Sequence, residues 1–70
     1  MKQYLEIQEQ LTDEESYIKQ PQQIRIEVSS KEEAIEKLLI YEPEFEGLNY
    51  IKRYHKCYHE EGQSCEIEEL

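Results

Sequence analysis

The sequence predicts a small two-layer α+β domain, one helix packed on a mostly antiparallel sheet in the order ββαββ. Three observations carry that prediction. Ile24, Ile26 and Val28 alternate with Arg25 and Glu27, the period of a half-buried strand. Ala34, Ile35, Leu38 and Leu39 follow at helical spacing behind a capping signal. Two arms that flank Glu60-Glu61-Gly62 then read as a hairpin, with glycine where the backbone needs positive φ.

The elements follow in order along the chain. Leu5 and Ile7 alternate as in a first strand, although Tyr4, Ile7 and Leu11 also fit helical spacing. Thr12 with Glu15 has the form of a capping box for a short helix through Tyr17 and Ile18, with a turn at TDEE as the alternative. The polar run KQPQQ leads into the strand of Ile24, Ile26 and Val28. Ser30 and Glu33 then predict a capping box. The hydroxyl takes an orphan helix N–H, the glutamate reaches back, and Pro43 stops a helix of residues 31–41.

Beyond the loop EPEFEG, LNYIKRYHKCYH has two readings. A helix aligns Leu48, Ile51, His55 and Tyr58. A strand sets Tyr50, Tyr54 and Tyr58 on one face and Ile51, His55 and Cys57 on the other. Tyr and Ile favour strands, and the turn that follows decides for one. A three-residue loop fixes the register: Cys57 opposite Cys65, Lys56 opposite Glu66, His55 opposite Ile67 and Arg53 opposite Glu69. Two of those pairs bring opposite charges together, which supports the same alignment.

Residues 1–70 are expected to form one domain with a thin core. A chain this short buries only about 60% of its unfolded surface. The hydrophobic content is 37%, with no Trp and one Phe, so aliphatic side chains and some of the 6 Tyr must fill that core. No cofactor is expected, because a core of this size leaves little room for a pocket of several hundred cubic ångströms. The N-terminal residues show no apolar run of a signal sequence, and no stretch approaches the roughly 20 apolar residues of a membrane span. A cytoplasmic location follows, where thiols stay reduced.

Charge is the strongest compositional fact: 17 Asp and Glu against 8 Lys and Arg, a formal net charge of -9. Such a field repels nucleic acid and anionic membranes, whose binding relies on clustered Lys and Arg, and it favours a basic protein partner. Glu42, Glu44 and Glu46 alternate with Pro43 and Phe45, which predicts an exposed acidic edge with one apolar anchor. Tyr50, Tyr54 and Tyr58 are either core cover beneath the helix or a tyrosine-rich contact face. The leading functional expectation is therefore a small, acidic, non-catalytic interaction or regulatory protein. One form is an inhibitor that occupies a basic nucleic-acid-binding surface of its partner. The contact candidates are Glu42, Glu44, Phe45, Glu46, Tyr50, Tyr54 and Tyr58.

The hairpin CYHEEGQSC carries the alternative, a metal- or redox-responsive module. Cys57, Cys65 and one of His55 or His59 would converge there. The two histidines are four strand residues apart, about 13 Å, too far for both to reach one ion. A disulfide suits directly opposed residues but meets a reducing compartment. A reduced pair of small hydrophobes is the leading reading of these cysteines. Catalysis finds no orienting third group beside Cys57, no phosphate-binding loop and no carboxylate in an evident apolar setting, so no catalytic residue or metal ligand is assigned.

Overall fold

The structure, a computed structural model, describes residues 1–57, 62 and 64–70. Its elements are β1 (Lys2–Glu9), α1 (Asp13–Ser16), β2 (Gln23–Val28), α2 (Lys31–Tyr41), a 3-10 turn (Glu42–Phe45), β3 (Tyr50–Cys57) and β4 (Glu66–Glu69). The four strands make one antiparallel sheet in the order β2-β1-β3-β4. A one-turn helix between β1 and β2 is thus added to the expected order.

Alternation along the strands decides what the sheet buries. Leu5 and Ile7 of β1 are fully buried, with Ile26 and Ile24 opposite them on β2 and Tyr54 opposite Leu5 on β3. Those residues, Val28 and Tyr50 all point to the face that α2 covers. Glu6, Arg25, Arg53 and His55 alternate onto the other face. Central β1 carries the fully buried Leu5 and Ile7, edge strand β2 adds Ile24, Ile26 and Val28, and β4, with the sequence EIEE, lies at the other edge with every residue exposed.

Helix α2 begins and ends where the sequence places it. Ser30 Oγ accepts from the Glu33 N–H at 3.1 Å. Glu33, however, reaches one residue further back than a capping box requires. Its carboxylate accepts from the Ser29 N–H at 2.9 Å and from the Ser29 hydroxyl. Two adjacent serines offer it two donors on one residue, more than the Ser30 N–H alone supplies. Pro43, lacking an N–H, enters the 3-10 turn instead of prolonging the helix.

The helix is rotated relative to the sequence expectation. Ala34 and Leu38 are buried, but Ile35 is 43% exposed and Leu39 71% exposed. The helix rests over β1 and β2, so its contact stripe is narrower than its apolar stripe. The space at its C-terminal end is filled by Phe45, which the 3-10 turn folds back under the helix. Its ring is fully buried, 5.6 Å from the ring of Tyr50.

The β1–β2 connection is also tied down. Thr12 and Glu15 make a complete capping box, with N···O distances of 3.1 and 3.2 Å, yet α1 ends at Ser16. Tyr17 and Ile18 therefore fall outside it and stand 87% and 83% exposed. Behind them the buried Glu9 carboxylate accepts from the Gln22 N–H and from Lys19 Nζ, both at 3.0 Å. The Glu9 N–H in turn donates to the Gln22 carbonyl at 2.8 Å. These bonds hold the Glu9 carboxyl below its ordinary range, with the Gln22 N–H the larger cause.

Candidate functional site

Because α2 sits over β1 and β2, its Ile35–Leu39 flank looks out beside the inward face of β3 and β4. Leu39, Glu42, Pro43, Glu46 and Tyr50 line an open depression there of about 360 Å³. Further along, Tyr54, Lys56, Glu66, Ile67 and Glu68 line a second of about 180 Å³. Lys31, from the first turn of the helix, pairs with Glu68, which lines the second. The two depressions share no lining residue and are together called the groove. Its walls are apolar on the helix side and acidic on the β4 side.

The wall at Glu42 is held by hydrogen bonds. Glu42 Oε1 accepts from the Tyr50 hydroxyl at 2.6 Å and from Lys52 Nζ at 3.0 Å. The Tyr50 bond, then the Lys52 bond, hold the Glu42 carboxyl below its ordinary range. The same bond to Glu42 raises the Tyr50 hydroxyl above its own. Glu42 is thereby fixed and locally neutralised, while Glu44 and Glu46 remain exposed.

This arrangement corrects part of the expected contact surface. Phe45 is not an exposed anchor: among the described residues it is the largest fully buried side chain. Alternation with glutamates placed it on an extended edge, whereas a 3-10 turn aims it inward. Tyr54 is also core, 3% exposed, with its hydroxyl donating to Gln3 Oε1. Tyr50 is half-buried and forms the groove floor. Tyr58 lies outside the described residues. Exposed apolar surface comes instead from Ile35 and Leu39, whose signal in the sequence was an apolar stripe too wide for one strand pair to cover.

The opposite face of the sheet gathers the hairpin chemistry. His55 faces Tyr4 across β1 and Ile67 across β4, and its Nε2 lies 3.2 Å from Glu6 Oε1. The Arg25 guanidinium stacks 4.3 Å over the Tyr4 ring. The observed β3–β4 pairs run from Arg53↔Glu69 to Lys56↔Glu66, the register expected from the turn. One step beyond them, Cys57 and Cys65 meet with their Sγ atoms 2.8 Å apart. The hydrogen bond to Cys57 and burial push the Cys65 thiol up, and Arg25 pulls it down. His59 lies outside the described residues. Among those described, no three His, Cys, Asp or Glu side chains cluster to hold a metal, and the His55 ring is committed to Glu6.

Fold and site together define a small acidic α+β protein with one helix set off-centre on a four-stranded sheet. Comparison with known proteins finds no matching family, no matching curated sequence and no matching solved structure. Among the described residues, no helix is long and apolar enough to cross a membrane.

Proposed function

We propose that this protein is a non-catalytic interaction module. It binds a basic, amphipathic segment of a partner protein in the groove between α2 and the β3–β4 edge. The observation that carries the reading is exposed Leu39 in one depression beside Glu42 and Glu46, with Glu66 and Glu68 lining the other. Apolar surface rimmed by charge of one sign suits a ligand of the opposite sign with an apolar stripe. A net charge of -9 extends that preference beyond contact distance and speeds encounter. The larger depression falls near the low end of small-molecule pockets, about 300–1,000 Å³, but it is open and seats a side chain more readily than it encloses a ligand. A basic nucleic-acid-binding surface offers the same chemistry, so an inhibitor that masks one is the form of this function that the charge favours.

The test uses a synthetic helical peptide of leucine and lysine as the basic amphipathic probe. Binding followed by fluorescence anisotropy should weaken at least tenfold between 50 and 500 mM salt, because exposed charges are screened beyond about 10 Å at 0.1 M and more closely above it. Leu39→Ser should weaken it by roughly 10–100-fold, the loss of one apolar anchor. Glu44→Gln with Glu46→Gln should lower mainly the association rate, with Glu42 left in place because it holds Tyr50 and Lys52. Affinity indifferent to both salt and Leu39→Ser would leave the charge a solubilising feature and the groove without a role.

A further inference from the structure

On the sheet face away from the groove, the β3–β4 ladder brings the two thiols together. Lys56↔Glu66 is its last pair, and continuing the alignment by one residue opposes Cys57 to Cys65. Directly opposed antiparallel residues have Cα atoms about 4.5–5.5 Å apart, within the span a disulfide accepts. The sulfurs, already 2.8 Å apart, need to close by less than about 1 Å to reach bonding distance. Gly62, between the two cysteines in sequence, has a φ of 73°, which glycine adopts without strain. Burial differs between the two: Cys57 is buried and Cys65 only half-buried, so a reagent from solution meets the Cys65 sulfur first.

We propose that Cys57 and Cys65 are a reversible thiol–disulfide site that takes small disulfides of the glutathione class as oxidant. The Cys65 thiolate attacks one sulfur of the external disulfide. A mixed disulfide forms, and the first glutathione leaves as thiolate. Cys57, deprotonated, then attacks the Cys65 sulfur, and the second glutathione leaves. Two protein thiols are oxidised to one disulfide, one external disulfide is reduced to two thiols, and the two protons pass to the leaving thiolates. The bridge ties the fully exposed edge strand β4 to β3 covalently, beside their backbone pairing and the Lys31–Glu68 ion pair. This inference does not rest on the groove reading, since the thiols lie on the other face of the sheet.

The experiment incubates the reduced full-length chain with glutathione buffers of graded oxidation and follows intact mass and alkylatable thiols. Oxidised protein should remain monomeric, lose two hydrogens in mass, expose no alkylatable thiol and keep its far-ultraviolet circular dichroism. Its Tm should rise by roughly 10–20 °C, the effect of closing a short loop in a domain of this size. Cys57→Ser should accumulate a mixed disulfide at Cys65. Cys65→Ser should do so at least tenfold more slowly at the buried Cys57. Intermolecular dimers, a mixed disulfide that persists in the unsubstituted chain, thiols that stay alkylatable in fully oxidised buffer, or a bridge that forms only with loss of the dichroism signal would each overturn the proposal.

Discussion

Adjacent leucines on one helix give the most direct test of the packing. Leu38 is 6% exposed in the cluster with Leu5, Ile7, Val28 and Phe45, whereas Leu39 is 71% exposed. Truncating a buried leucine to alanine costs about 2–5 kcal/mol, the transfer of its methyl groups plus the cavity left behind. A chain of this length is stable by roughly 3.5–10 kcal/mol, at about 0.05–0.15 kcal/mol per residue. Leu38→Ala should therefore remove about a fifth of the stability or more. A loss of about 3 kcal/mol corresponds to a fall in Tm of roughly 12–24 °C in so small a domain. Leu39→Ala removes a side chain with about a third of its surface covered, and full burial is worth about 1.5–3 kcal/mol, so it should cost under ~1 kcal/mol. Urea unfolding of both variants under reducing conditions, with the slope compared as well as the midpoint, separates the two positions. Equal losses at 38 and 39, or a larger loss at 39, would mean that the helix turns its other flank to the sheet. The groove would then not exist as described.

Three further outcomes follow from the same contacts. Glu9, Glu15, Glu33 and Glu42 are held below the ordinary glutamate value of 4.5, chiefly by the Gln22 N–H, the Thr12 N–H, the Ser29 hydroxyl and the Tyr50 hydroxyl in turn. Their stabilising effect is present above 4.5 and is lost as the pH falls through the depressed folded-state values, so the urea midpoint should hold from pH 7 to 5 and drop below about 4.5. Glu9→Gln should start lower at pH 7 and lose less on acidification. Ala at Gly47 or Gly62 meets no atom within 4 Å, so its cost should be the positive-φ strain alone, about 1 kcal/mol by thermal unfolding; D-alanine placed at Gly62 by synthesis should abolish the loss. Thr12→Val should cost about 1 kcal/mol through the lost N-cap bond to Glu15, and it should leave the β3–β4 amide protection unchanged.

Strand periods, the limits of α2 and the β3–β4 register were legible in the sequence because each is governed by neighbours along the chain. Ser30 and Pro43 bound α2 through local hydrogen bonding and a missing N–H. Gly62 with the Arg53–Glu69 and Lys56–Glu66 pairs sets one alignment of β3 and β4. What sequence periodicity does not reveal is which part of a wide apolar stripe meets the sheet. That depends on where the helix lies across the strands and on what else competes for the space. Phe45 shows the difficulty. Set among glutamates it reads as a surface anchor, but a 3-10 turn after Tyr41 delivers it to the core, and Leu39 is displaced outward. The exposed apolar side chain beside Glu42 and Glu46 is thus Leu39 of the helix and not Phe45.

The clamp at Glu9 has a use in protein engineering. With Gln22 and Lys19 fastened to one buried carboxylate, and the Gln10 N–H donating to the Asn49 carbonyl at 2.7 Å, the connection between β1 and β2 is anchored at its base. The sheet is insulated from whatever the tip of that connection carries. Tyr17 and Ile18, which stand clear of the core, mark a permissive position for a fluorophore, an affinity tag or a grafted peptide. Lengthening a loop whose ends are already pinned adds little closure entropy, about 0.6 kcal/mol for each doubling. A cargo placed there would project from the connection and leave both faces of the sheet unaltered.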